Sequence, residues 1–355
     1  MLTRCLRTTQ RFKRYIPTLL ACLLLGSAAP LLAQTTEPKV SVGGGLRTSF
    51  TYDKVSHATG VDQFSLNDAR IYISGSANEN FSFMFNTDYS SASNEINVLD
   101  AVGRFSASPK FNIWAGRFLP PSDRANLYGP FYAHEWGVYT DGIQNGHPFI
   151  FQGRDNGVAY WGDFNKIKIS AGAFDGGSLP TGSKEVLGAA RIQINFWDPE
   201  SGYYLNGTYY GGKNLLSLGA ATQVQDGNTA TTIDFLMEKK LPNEGVVSIE
   251  SEYANYNGLG GYPGFGKKSE GAYLLASYLF PKKIGMGKFE LLGKYAIASS
   301  RQGANFRQNT AEVNFNYIIK EFNARVMTYF LDKRFNIAAK LDEWQAGVGL
   351  QLQIP

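Results

Sequence analysis

From residue 40 onward apolar and polar positions alternate with a period of two, the spacing of strands with two unlike faces. In "NFSFMFNTDYS", Phe81, Phe83, Phe85, Thr87 and Tyr89 share one parity, while Ser82, Asn86 and Asp88 share the other. "TAEVNFNYI" sets Ala311, Val313, Phe315 and Tyr317 against Glu312, Asn314 and Asn316, and "EWQAGVGLQLQI" repeats the pattern from Trp344 to Ile354. Similar runs recur near 40–52, 63–76, 96–107, 111–118, 154–164, 167–175, 187–197, 203–211, 214–225, 229–239, 245–254, 270–280, 288–298 and 322–331, seventeen candidates in all. Turn-rich stretches such as "SANEN", "WDPESG", "QDGN" and "LPNEG" divide them, and no segment sustains a helical period.

So many strands with short connections fit a sandwich, a propeller or a barrel. A barrel in a membrane is favoured because most runs are near the ten residues of a spanning strand, and because the aromatics (20 Tyr, 24 Phe) often fall at segment ends, where interfacial girdles sit. The expected fold is therefore all-β, a closed antiparallel transmembrane β-barrel. Bacterial single-chain barrels have even strand numbers. Sixteen strands are expected, with 18 as the alternative, and the split at "YYGGKN" is the suspect surplus. Counted from a periplasmic start, the longest connection, Leu119 to Gln152, is an extracellular loop expected to fold into the lumen as a constriction carrying Asp123, Arg124 and Asp141.

The N-terminus changes the charge balance. Arg4, Arg7, Arg11, Lys13 and Arg14 precede "YIPTLLACLLLGSAAPLLA", the form of a secretory signal peptide spanning 1–33, with 34–355 as the mature barrel. Without those five, 29 of the 34 Lys and Arg remain against 30 Asp and Glu, a formal net charge of −1. Cys5 and Cys22 both lie in the leader, which leaves no disulfide or thiol chemistry. No basic patch remains for nucleic acid.

If the polar parity faces the lumen, its charges are the pore lining: Arg70, Asp88, Asp100, Arg104, Arg117, Lys168, Arg191, Asp234, Glu250, Glu252, Glu290, Lys294, Glu312 and Arg325. Segregation by parity is expected because a charge on the lipid face costs a few kcal/mol near the midplane. Glu250 and Glu252, two residues apart in "VVSIESEYANY", could serve as the acid and base of a glycosidase, but they share one parity against Val247, Ile249 and Tyr253 and read as two lumen groups on one strand face. Rings and clusters of both signs set ion preference, and Arg104, Arg117 and Arg191 are expected to bias it toward anions.

Other chemistry has little support. "GYPGFGKK" lacks the Ser/Thr and helix of a phosphate-binding loop, His57, His134 and His147 have no ligand spacing, and no G-x-S-x-G elbow occurs. No cofactor, metal or catalytic residue is expected. The readings to be discriminated from a passive channel are a secreted all-β carbohydrate-binding protein and a barrel-embedded lipid hydrolase.

"LNDARIYISGSANENFSF", "DAVGRF", "IWAGRFLPP", "GRDNGVAYWGDF", "GYYLNGTYYGGKNLLSLGAA" and "GVVSIESEYANYN" resemble strands of the phosphate-selective porin family, the O and P type. That resemblance implies a 16-stranded homotrimeric porin embedded in Gram-negative outer-membrane lipid, passing small hydrophilic solutes and in some members anions such as phosphate. The chain departs from the family in lacking a dense arginine ladder and in ending at Pro355 rather than an aromatic, so phosphate selectivity is carried to no residue. Arg154 of "GRDNG" matches a family motif and is a mouth or lumen candidate.

Overall fold

The computed structural model describes residues 38–354 apart from 91–93, 144–152, 177–182, 262, 303–305 and 338–339; the leader with Cys5 and Cys22, His147 and Pro355 lie outside the described residues. Sixteen strands follow in order: β1 (Lys39–Val55), β2 (Val61–Ser76), β3 (Phe81–Ser90), β4 (Glu95–Ser108), β5 (Phe111–Phe118), β6 (Asp155–Asp163), β7 (Ile167–Phe174) and β8 (Leu187–Asn195). The second half comprises β9 (Leu215–Gln225), β10 (Asn228–Lys240), β11 (Val246–Asn257), β12 (Lys268–Ile284), β13 (Gly287–Ser300), β14 (Arg307–Lys320), β15 (Ala324–Phe335) and β16 (Glu343–Ile354). Each pairs antiparallel with its sequence neighbours, and β1 pairs with β16, from Gly44 opposite Ile354 to Val55 opposite Glu343, to close the barrel. Closure leaves no unpaired sheet edge, the condition a sheet must meet in lipid.

The two faces divide as the alternation requires. Exposed apolar side chains such as Phe64, Leu274, Leu291, Val313 and Val348 cover the exterior, whereas the opposite parity is buried and largely polar. Exterior aromatics run in ladders from strand to strand: Phe81, Phe105, Phe111 and Tyr160 near one end, Tyr52, Trp344 and Phe330 near the other. Connections are short at one end, and at the other Asp226 and Gly227, both with positive φ (50° and 73°), form the two-residue hairpin between β9 and β10 that Asp-Gly favours.

Two connections depart from this economy, and both turn inward. The described part of the 119–154 connection, 119–143 and 153–154, enters from the end opposite the short turns and contains α1 (Arg124–Tyr132), capped where the Asp123 carboxylate accepts from Asn126 N at 2.8 Å and kinked at Gly129. Residues 196–214, between β8 and β9, enter from the short-turn end. The run at 203–211, read from sequence as a strand, belongs to this second insert and is the surplus seventeenth candidate. Its alternation has a physical origin other than strand pairing. Tyr203 is buried on one side against the barrel's apolar interior, while Tyr204 and Asn206 turn toward a cavity that the largely buried Leu205 also borders.

Candidate functional site

The interior charges sort into two groups according to what covers them. Along β8 to β16 they hold the 119–154 connection against the wall. Arg191 donates to Ser122 O at 3.1 Å and to Asp234 at 2.8 Å. Tyr128 OH donates to Glu250 at 2.9 Å, His134 Nε2 lies 2.8 Å from Glu290, and the Gly137 amide donates to Glu312 at 3.0 Å. Lys294 bridges Glu135 at 2.8 Å and Asp141 at 2.9 Å, and Arg325 donates to Ala133 O at 2.7 Å. Close approach makes this possible: a β-carbon at Gly349 would clash with the Trp136 indole. Glu252, on the same wall, is 3% exposed.

The second insert is tied down in the same way. Arg124 of α1 donates to Glu200 at 2.9 Å and to Asn206 O at 3.0 Å. Lys168 Nζ donates to Glu200 O at 3.1 Å and Gly202 O at 2.8 Å, and Glu238 accepts from Thr208, Tyr209 N and Gly211 N. The two inserts meet directly, with Gly207 N donating to Tyr132 O at 2.9 Å and Tyr203 OH to Leu119 O at 2.8 Å. Burial pushes the Glu200 carboxyl up, but Arg124 and Lys168 outweigh it and hold it down to about 2. Burial opposes charge on His134, and Glu290, with Glu238 and Glu135, outweighs it to hold the imidazole above its ordinary value.

Between these inserts and β5 to β7 lies an apolar cluster in which Trp114 and Tyr203 have ring centroids 4.7 Å apart and Phe118 and Phe174 5.2 Å apart. This cluster explains the one lining residue that faces the other way. Arg117 was expected inside, but in β5 the interior parity belongs to Asn112, Trp114 and Phe118, and Arg117 stands with exposed Phe111 and Ala115, donating to Val98 O at 3.2 Å. Both faces of "FNIWAGRF" are apolar because the insert covers the inner one, so parity there cannot be read from polarity.

The wall from β2 to β4 is different, because open space faces it. A cavity of about 420 Å³ is bordered by Arg70, Asn86, Asp100 and Arg104 on the wall, by Arg154, and by Tyr128, Tyr204 and Asn206 of the inserts. Arg70 pairs with Asp88 at 2.9 and 2.8 Å. Asp100 accepts from Tyr204 OH at 3.0 Å, Asn86 at 2.9 Å and Arg154 at 3.4 Å. A second space of about 760 Å³ near the chain start shares Ser74 and Arg104 with the first and is flanked by Lys39.

Asp123, Arg124 and Asp141 are thus placed within the barrel, and all the wall candidates except Arg117 lie on its interior face. Sequence reasoning missed Glu200, hidden in a segment read as a turn, and the Trp114 and Tyr203 cluster. Ser277, His134 and Glu290 invite comparison with a hydrolase relay, but Ser277 Oγ (3.2 Å) and Glu290 both lie on His134 Nε2, so one nitrogen would have to serve as base and be the oriented one. The closed barrel also excludes the sandwich and propeller of a secreted carbohydrate binder.

The architecture is that of porin-type barrels. No family model matches the sequence, and no curated protein does. Among solved structures, an anion-selective porin from Comamonas acidovorans is similar with 14% identity and a TM-score of 0.61, covering 90% of this chain and 100% of that one. The outer membrane channel DcaP of Acinetobacter baumannii matches at 12% identity and a TM-score of 0.59, over 91% of this chain and 100% of its own. OmpT of Vibrio cholerae, an outer membrane protein described in a trimer form, matches at 12% identity and 0.57, over 90% and 100%.

Proposed function

We propose that this chain is a porin of the Gram-negative outer membrane, a passive channel for small hydrophilic solutes that prefers anions and assembles as a homotrimer. The observation that carries the reading is the charged cavity left open along β2 to β4 inside a closed barrel whose exterior is apolar. Its short-turn end faces the periplasm and the 119–154 connection enters from outside, as in bacterial barrels generally. A water-filled route of this kind selects by the charges at its narrowest section rather than by total charge.

Pairing on the open wall supports an anion preference. Arg70 and Arg154 each have an acidic partner there, whereas among the described residues no carboxylate pairs with Arg104. Arg191, expected to act with it, is paired to Asp234 beneath the loop, and Arg117 is outside. The resemblance of its strands to those of the phosphate-selective porins and the likeness to an anion-selective porin favour the same sign, and the trimer form of the OmpT structure favours the assembly. The test is conductance of purified protein across a planar bilayer in a salt gradient. Discrete steps with a reversal potential of anion sign are expected. Folded protein that gives no steps would remove the channel reading, and a cation sign would remove the preference.

A further inference from the structure

Arg104 lines both the 420 Å³ cavity and the 760 Å³ space, so it stands where the two meet. Its guanidinium lies over the Trp114 ring at 4.3 Å from the centroid, its Nη2 touches the Met84 sulfur, a weak acceptor, and its buried Nε has no hydrogen-bond partner. Asp100, the acid on the same face of β4, is committed to Tyr204, Asn86 and Arg154. A cation without a carboxylate partner among the described residues therefore sits at a junction. Around it the cavity is not uniformly polar: Tyr72, Tyr132, Tyr204, Leu127 and Leu205 also border it, presenting flat and apolar surface within reach of the charge.

We propose that this junction is a binding site for monocarboxylates with an aromatic body, the carboxylate on the Arg104 guanidinium and the ring against Tyr204 and Leu205. An arginine presents two parallel donors that match a carboxylate. An apolar wall with a few convergent polar groups, in a volume of this size, is the usual constitution of a small-molecule site. A small hydrated anion such as chloride or phosphate gains nothing from the tyrosines and leucines, whereas benzoate loses apolar surface to them as it pairs.

The proposal rests on the channel reading, and the experiment separates the two. Benzoate, acetate and inorganic phosphate are added in turn to channels of the purified protein in a planar bilayer, and benzoate binding is measured in parallel by calorimetry on the detergent-solubilised protein. Benzoate is expected to interrupt the current at concentrations where acetate and phosphate do not, and in Arg104→Gln its block is expected to weaken by about tenfold or more, the scale of one charged hydrogen bond. Block by acetate or phosphate equal to that by benzoate overturns the aromatic site, as does undiminished block in Arg104→Gln. If that variant does not fold, Tyr204→Ala takes its place, with the same expected loss of benzoate block and the same contrary result. Absence of any steps would remove the channel reading alone, while calorimetric binding of benzoate over acetate would still support the site and equal or no binding would overturn it.

Discussion

The interior of this barrel has two walls built from the same kinds of residue and put to different uses. Along β8 to β16 most of the arginines, lysines and glutamates are buried under the 119–154 connection and held by a loop amide, hydroxyl, carbonyl or countercharge, whereas Glu252 is buried there with neither carboxylate oxygen hydrogen-bonded among the described residues. Along β2 to β4 the same residue types border open space, and among the described residues no carboxylate pairs with Arg104. The difference teaches that facing inward is not the same as lining the passage. A charge under a loop organises the lumen, and a charge beside the gap acts on whatever passes.

The contrast is broken most severely by removing the pair that joins the two inserts. Arg124→Met leaves Glu200 buried without its hydrogen-bonded cation, and unfolding by urea should show a loss of about 3–5 kcal/mol, the usual effect of stripping one partner from a buried pair. A loss below about 1 kcal/mol would mean that the inserts do not depend on each other. Next in size is the pH response of His134. Its imidazole is held above the ordinary value in the folded protein, so the contribution is fully present below about pH 6.5 and is lost as pH rises through the raised value. His134→Asn should abolish that alkaline decline in the urea midpoint, worth about 1.5–3 kcal/mol for a hydrogen bond to a charged group.

On the open wall the effects move from stability to selectivity. Arg154→Gln removes a long, largely buried pair at 3.4 Å from an Asp100 that keeps Tyr204 and Asn86, so stability should fall by about 1.5 kcal/mol while the reversal potential shifts toward cations. An unshifted potential would take Arg154 out of the passage. Smallest of all is Arg117→Gln, on the exterior parity of β5. Stability should stay within about 0.5 kcal/mol and the reversal potential should not move; a shift like that of Arg154 would return this side chain to the lumen.

Much of this was legible in the chain. Strand number, closure and the inward parity of Arg70, Asp88, Lys168, Arg191, Glu250 and Glu312 follow from a period-two pattern that lipid on one side and polar interior on the other impose. Where the inner face is covered by apolar insert, as at Trp114 and Phe118, polarity no longer reports orientation, and Arg117 was misassigned for that reason. The segment at 203–211 alternates because an apolar cluster lies on one side and a cavity on the other, which no local pattern distinguishes from a strand pair. The burial of Glu250 and Glu252 beneath the loop was equally hidden, since it depends on contacts such as that of Tyr128, more than a hundred residues away in sequence.

The central claim, that passage runs along β2 to β4 and is sealed along β8 to β16, is tested most directly by thiol accessibility in a chain whose Cys5 and Cys22 are replaced by Ser. Asn86→Cys borders the cavity, and Thr232→Cys replaces an interior side chain that is 2% exposed on the opposite wall. A charged methanethiosulfonate reagent should cut the conductance of the first and leave the second unchanged. Equal modification of both, or modification of Thr232→Cys alone, would contradict the account.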